Sequence, residues 1–165
     1  EVAAVMYRRA HCEDLIRGRS IEGVSTAVVY VACRLEGIPR SLEEVEEVSR
    51  IKRMEIGRTY RSIANELDLE MKPVDPKQYV PRFASRLDLS NQTQMKGMEV
   101  IDTTAEHCLV SGKSPIGFAA AAIYIASILC EERRAQREIE NVAKISKVTI
   151  RARYQEMMDI LDVDV

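Results

Sequence analysis

The chain has little net charge, little histidine and no long apolar run, and each shortage closes off a class of function. Twenty-four basic residues stand against 26 acidic ones, a formal net charge of −2, so nothing here grips nucleic acid by bulk charge alone. No segment approaches the roughly 20 uninterrupted apolar residues that a membrane span requires, and no signal peptide opens the sequence. The four cysteines, Cys12, Cys33, Cys108 and Cys130, show no C-x-x-C spacing. Cys33 and Cys108 fall inside helical apolar patterns and read as reduced core thiols of an intracellular protein. His11 and His107 each precede a cysteine. Adjacent residues point in different directions on a helix, and neither pair has a second ligand pair at useful spacing, so no metal site is expected. The carboxylates lie on helix surfaces with no constellation of nucleophile, base and orienting group, so an enzyme is not expected either.

What the sequence does contain is a buried helix, twice. Ser114 can cap a first turn and Pro115 suits the first helical position, where its missing N–H costs nothing. From Phe118 to Leu129 the residues are apolar almost all round, leaving no solvent face. The run Ala119–Ala122 favours helix and adds little bulk, so neighbouring helices can approach closely. A second copy, Ser20–Leu35, lies 94 residues upstream, and Leu15–Met71 maps onto Leu109–Val165 without a gap. Gly18/Gly112, Ser20/Ser114, Gly23/Gly117, Tyr30/Tyr124, Ile56/Ile150 and Tyr60/Tyr154 are among the identities. This is an internal duplication, read as two helical domains covering residues 1–88 and 89–165. Glu1–Val5 resembles the middle of a helix, so the chain is expected to come from something longer.

In order, the periodicity predicts a helix over residues 1–16, with Val2, Val5, Met6, Ala10 and Leu15 near one face. After the first central helix comes a turn at Gly37-Ile38-Pro39. Ser41 and Glu44 form a capping box for a short acidic helix, Leu42–Ser49. A helix from about Met54 to Leu67 follows, with Ile56, Tyr60, Ile63 and Leu67 inward. Asp75-Pro76 suits a cap, and Pro81 requires a helix that starts near Val80 or is kinked; Phe83 and Leu87 face inward. A helix from about Gln92 to Val110 carries Met95, Met98, Ile101, Ala105 and Cys108 on its apolar side. Gly112-Lys113-Ser114 resembles the end of a phosphate-binding loop, but the required earlier glycine would fall at His107, so the segment is a helix start. The last two helices are Gln136–Ala143, where Ala135 lacks the cap oxygen of Ser41, and Val148–Leu161, with Ile150, Tyr154, Met157, Met158 and Leu161 inward.

Both repeats place cations at one part of the duplicated unit. Residues 50–61 hold Arg50, Lys52, Arg53, Arg58 and Arg61 against Glu55 alone. Residues 133–153 hold Arg133, Arg134, Arg137, Lys144, Lys147, Arg151 and Arg153 against Glu138 and Glu140. In each, a short helix, a tight turn and a longer helix follow in series, the spacing of a helix-turn-helix. In such a motif the start of the second helix meets base edges while surrounding Lys and Arg hold phosphates. Lys147, Val148, Thr149, Arg151 and Arg153 are the exposed positions expected at that start in the second repeat. Arg151 can pair with guanine, and Val148 can pack on a thymine methyl. The first repeat has Glu55, which repels phosphate, and Gly57-Arg58, so the second repeat is expected to read sequence and the first mainly to touch backbone.

The stretches Ile16–Glu22, Val31–Leu35, Glu55–Arg61, Ser111–Pro115, Ala120–Ser127, Gln136–Glu138 and Val148–Arg151 together resemble the core domain of archaeal transcription factor B, counterpart of eukaryotic transcription factor IIB. The likeness covers essentially the whole chain. It implies an all-α fold of two tandem cyclin-like repeats, about five helices each, the second ending in a helix-turn-helix. It also implies a monomer that clamps TATA-box-binding protein on bent promoter double-stranded DNA, helps recruit RNA polymerase, and works in the archaeal cytoplasm at the nucleoid. By position, Val148 and Arg151 match the family's base-contacting residues in the B-recognition element, with Thr149 and Arg137 close by. Gly57 and Arg58 match its downstream minor-groove contacts, and Lys52 is a further expected DNA-binding residue. Arg17, Arg19, Lys113, Arg133 and Arg134 are candidates for phosphate or acidic-partner contacts. Ala135 departs from the family's usual threonine. No cofactor is implied for this chain; zinc belongs to a ribbon expected ahead of Glu1. The competing class is a cyclin proper, which would share the fold, bind a protein kinase and leave DNA alone.

Overall fold

Every regular element among the described residues, 1–108 and 114–161, is helical in the computed structural model. The chain divides into two units, Glu1–Val74 and Asp75–Val165.

The first unit holds α1 (Val2–Cys12), α2 (Ile21–Leu35), α3 (Leu42–Val48) and α4 (Arg53–Glu66). Ser20 caps α2 by accepting from the Gly23 N–H at 3.0 Å. The capping box of α3 is complete: Ser41 Oγ accepts from Glu44 N at 3.1 Å, and Glu44 Oε2 accepts from Ser41 N at 3.0 Å. Val24, Ala27, Val28 and Val31 of α2 pack with Met6, Ile63 and Leu67, while Tyr30, Val45, Ile51 and Ile56 form a second cluster. Val5 is 40% exposed, so the inner face of α1 is narrower than its periodicity suggested. Cys33, expected in the core, is half-buried, and burial pushes its thiol pKa up.

The second unit holds a 3₁₀ turn, Pro76–Tyr79, then α5 (Val80–Arg86), α6 (Asn91–Cys108), α7 (Pro115–Leu129), α8 (Gln136–Ala143) and α9 (Lys147–Leu161). Asp75 accepts from Lys77 N at 2.9 Å, and Pro81 sits in the first turn of α5, the tolerated position. α7 is the axis: residues 116–127 are all buried, and α5, α6, α8 and α9 pack against it. Ser114 makes no side-chain cap bond there; Pro115 has already removed one of the N–H groups needing a partner.

Two expectations shift. The repeat boundary at 88/89 does not coincide with the packing boundary, because Val80, Phe83 and Leu87 are buried and α5 packs on α6, α7 and α8. The buried face of α6 is also rotated. Met95 is 64% exposed and Met98 half-buried, whereas Thr93, Gly97, Val100, Ile101 and Thr104 are buried. Those threonines are satisfied locally, Thr104 Oγ1 donating to Val100 O at 2.7 Å and Thr93 Oγ1 to Glu132 Oε2 at 2.7 Å. Glu132 also accepts from Ser90 N at 2.9 Å, and these bonds hold its carboxyl below the usual range. Nothing is described of the Cys108 side chain, and Leu109, Val110, Gly112, Lys113 and residues 162–165 lie outside the described residues.

Three helix pairs, α2/α7, α3/α8 and α4/α9, start 94 residues apart. The duplication extends to ring contacts: Tyr30 meets Tyr60 at 5.0 Å between centroids, and Tyr124 meets Tyr154 at 5.5 Å.

Candidate nucleic-acid interface

In the second unit α8, a three-residue turn and α9 form the predicted helix-turn-helix. The turn reverses through Lys144, whose φ of +58° is left-handed. Two contacts fix the start of α9: Ser146 Oγ accepts from Thr149 N at 3.3 Å, and Glu140 Oε1 of α8 accepts from Lys147 N at 3.3 Å. Ala135 supplies no cap oxygen to α8, yet Glu138 keeps the reciprocal half of the box, its Oε2 accepting from Ala135 N at 2.7 Å. Ile139, Ala143, Ile150 and Met157 are buried, anchoring both helices.

The five positions expected at the exposed start of α9 do not all face out. Lys147, Val148 and Arg151 are exposed, Val148 by 79%. Arg137 of α8 is exposed too. Among the described residues, no carboxylate side chain pairs with Arg137, Lys147 or Arg151. Thr149 and Arg153 turn toward α7, where a Cβ built on Gly117 would meet Thr149 Cγ2 at 3.1 Å and Arg153 Cγ at 3.8 Å. Arg153 is further engaged by Glu156, Nη1 to Oε2 2.6 Å. Helical period explains the split: positions 149, 150, 153 and 157 share the buried side, and 147, 148 and 151 the other.

In the first unit the equivalent motif is α3, the turn and α4. Two of its five cations, Arg53 and Lys52, are paired with α3 carboxylates, as is Arg40 ahead of α3, whereas Arg50, Arg58 and Arg61 are exposed. Arg53 pairs with Glu43 at 2.8 Å, Lys52 with Glu46 at 3.7 Å, and Arg40 with Glu44 at 3.7 Å. Glu55 reaches the first turn of α2, its Oε1 3.0 Å from a Cβ built on Gly23, where the positive end of a helix favours a carboxylate. Gly57 is buried and faces Leu42 of α3, 3.3 Å from its built Cβ. The close approach it permits is therefore to a neighbouring helix. Arg58 is exposed.

The partner and phosphate candidates divide as well. Arg134 is committed to the chain, donating to Leu87 O and Asp88 O, both at 2.9 Å, where it closes the C-terminal end of α5. Arg19 donates to Leu15 O at 2.6 Å and Ser62 Oγ at 2.9 Å, tying the loop after α1 to α4. Arg17 meets Asp14 at 3.7 Å with both side chains well exposed, a pair worth little in water. Arg133 is exposed, and Lys113 lies outside the described residues. Sequence reasoning missed the internal bonding of Arg19 and Arg134 because a guanidinium bound to carbonyls and one facing solvent look alike along the chain.

These features define a tandem cyclin-like protein carrying a helix-turn-helix. The fold is similar to that of a viral cyclin from herpesvirus saimiri, with a TM-score of 0.50 at 10% identity over 98% of this chain and 82% of that one. Residues 1–66 and again 69–160 match the family of the transcription factor TFIIB repeat, and the chain belongs to that family. The second match opens ahead of α5, on the side of the packing boundary. Transcription initiation factor IIB 7 of Halobacterium salinarum is 64% identical over 163 residues, 99% of this chain and 50% of that protein. Transcription initiation factor IIB of Methanosarcina mazei is 55% identical over 165 residues, 100% of this chain and 49% of that protein. The chain thus spans about half the length of the curated relatives it matches. The family is one of transcription factors and not of enzymes. No helix among the described residues is long and apolar enough to cross a membrane.

Proposed function

We propose that this chain is the promoter-binding core of a general transcription initiation factor. It binds the complex of TATA-box-binding protein with promoter DNA and reads the element upstream of the TATA box through the start of α9. Arg151 and Val148 contact base edges; Lys147 and Arg137 hold phosphates. The first unit touches downstream backbone more weakly, with Arg58 as its cation and Lys52 partly offset by Glu46. Reading the upstream element sets the direction of the assembly, and the bound core helps recruit RNA polymerase.

The observation that carries this reading is that Arg137 of α8 and Lys147, Val148 and Arg151 of α9 are all exposed, the three cations pairing with no carboxylate side chain among the described residues, on a helix start pinned by Ser146 and Glu140. A net charge of −2 fits a protein whose affinity comes mainly from a protein partner and pre-bent DNA, since a strongly basic surface would favour non-specific sites. Gel-shift titration is the test. Binding to promoter DNA alone is expected to be weak and to tighten sharply with TATA-box-binding protein present; equal affinity in both arms contradicts the proposal.

A further inference from the structure

The geometry points to Gly117 as a positioning residue for base reading: with Thr149 it sets how deeply α9 is seated on α7, and so where Val148 and Arg151 stand. This rests on the function proposed above and adds a part of its machinery that touches no DNA. Gly117 lies in the first turn of α7 and is buried. A Cβ there would come 3.1 Å from Thr149 Cγ2, closer than nine in ten real Cβ contacts, with Arg153 Cγ and Ile145 Cδ1 at an ordinary 3.8 Å. The conflict is thus with one methyl group.

That methyl cannot simply swing away. Thr149 is held at its backbone N–H by Ser146 Oγ at 3.3 Å, and its own Oγ1 lies 3.0 Å from the same oxygen. Rotating χ1 would break the Oγ1–Ser146 Oγ contact, and β-branching leaves few other rotamers in a helix, so the displacement passes to the first turn of α9. Val148 precedes Thr149, and Arg151 is two residues on, so both move with that turn. Bidentate pairing to a base tolerates little displacement, whereas phosphate contacts by flexible side chains tolerate more. The loss should therefore fall on selectivity before affinity. The duplication supplies a parallel: at Gly23, the same position in the first unit, a Cβ would meet Ser20 Oγ at 2.8 Å and Glu55 Oε1 at 3.0 Å. Glu55 is the counterpart of Thr149. In both units the third residue of the second motif helix is seated over a glycine of the central helix.

Gly117→Ala, Thr149→Ser and the double variant test this, because serine keeps the cap oxygen and deletes Cγ2. With TATA-box-binding protein present, affinities are measured for promoters with an intact and a scrambled upstream element, and amide hydrogen exchange is followed over residues 147–151. Gly117→Ala should cut the intact-to-scrambled affinity ratio by roughly tenfold, leave binding to the scrambled promoter nearly unchanged, and speed exchange in that turn. Thr149→Ser, which removes the methyl that fills the seat, should lower the ratio less than Gly117→Ala does, and the double variant should recover both ratio and exchange. A folded Gly117→Ala chain with an unchanged ratio overturns the inference, as does a double variant that fails to recover. If Gly117→Ala does not fold, a double variant that folds and discriminates supports the seating and one that does not overturns it. If the parent chain does not discriminate the promoters, the base-reading proposal and the positioning role fall together. The exchange data then show separately whether Gly117 seats the turn.

Discussion

The two helix-turn-helix motifs descend from one unit and share its geometry, yet they differ in charge: residues 41–61 carry five basic and five acidic side chains, residues 135–155 five basic and two acidic. In the first, α3 presents Glu43, Glu44, Glu46 and Glu47, and three of these pair with Arg53, Arg40 and Lys52. In the second, Arg137 replaces Glu43 at the equivalent position and Lys147 replaces Arg53, so a pair becomes two like charges. Apolar tips remain in both: Met54 is 72% exposed and Val148, its counterpart, 79%. A duplicated scaffold thus separates fold from function. The tyrosine pairs, the central helices and the glycine seats persist, while the charges carried by α3 and α8 differ.

The comparison can be broken first at the core. Phe118 is 1% exposed and its counterpart Val24 is fully buried. Phe118→Ala should destabilise the second unit by about 3–5 kcal/mol, and Val24→Ala the first by about 2 kcal/mol, since fewer atoms leave the interior. Chemical denaturation followed by unit-resolved hydrogen exchange checks both values.

A smaller effect is expected at the reading surface. Arg151→Ala should remove about 1–3 kcal/mol of discrimination among upstream elements, and Arg58→Ala should leave that discrimination intact. Competition gel shifts in the presence of TATA-box-binding protein measure each; intact selectivity in Arg151→Ala would reassign the reader.

Charge reversal sharpens the contrast further. Arg137→Glu installs next to Lys147 the kind of pair that Glu43 makes with Arg53, and promoter affinity should fall at all sequences with a shallower salt dependence, by about two phosphate contacts. Glu43→Gln should act oppositely and more weakly, freeing Arg53 and raising the salt slope by about one. Titrations at several salt concentrations report both slopes.

The smallest difference concerns the caps. Ser41 completes the box of α3, whereas Ala135 leaves α8 with only the Glu138 half. Ala135→Ser should stabilise the second unit by about 1 kcal/mol and Ser41→Ala destabilise the first by a similar amount, read as opposite shifts in denaturation midpoint.

Much of this was legible in the sequence because it depends on local spacing. The all-helical fold, the duplication, the α3 capping box, the start of α5 near Pro81 and the buried α7 follow from period and composition. Three features were not. The packing of α5 with the second unit was hidden because, at the 94-residue offset, its counterpart would precede Glu1, leaving no residues to compare. The buried face of α6 was misjudged because methionines outrank threonines in hydropathy, while Thr93 and Thr104 bury their hydroxyls at little cost by bonding to Glu132 and to the helix itself. Among the site residues, the basic patch was visible but not its division. Val148, Lys147 and Arg151 face out and Thr149 and Arg153 face in, which depends on how α9 sits on α7. Gly57 illustrates the same gap, since a glycine that admits a neighbouring helix cannot be told from one that admits a phosphate until the neighbour is seen.

The central claim is that the start of α9, and not the equivalent start of α4, meets the upstream bases. Photo-crosslinking from position 148 and, separately, from position 54, within the complex of TATA-box-binding protein and promoter DNA, tests it most directly. Adducts from position 148 on bases upstream of the TATA box, with none there from position 54, are the predicted result. A silent position 148, or upstream adducts from position 54, would contradict it.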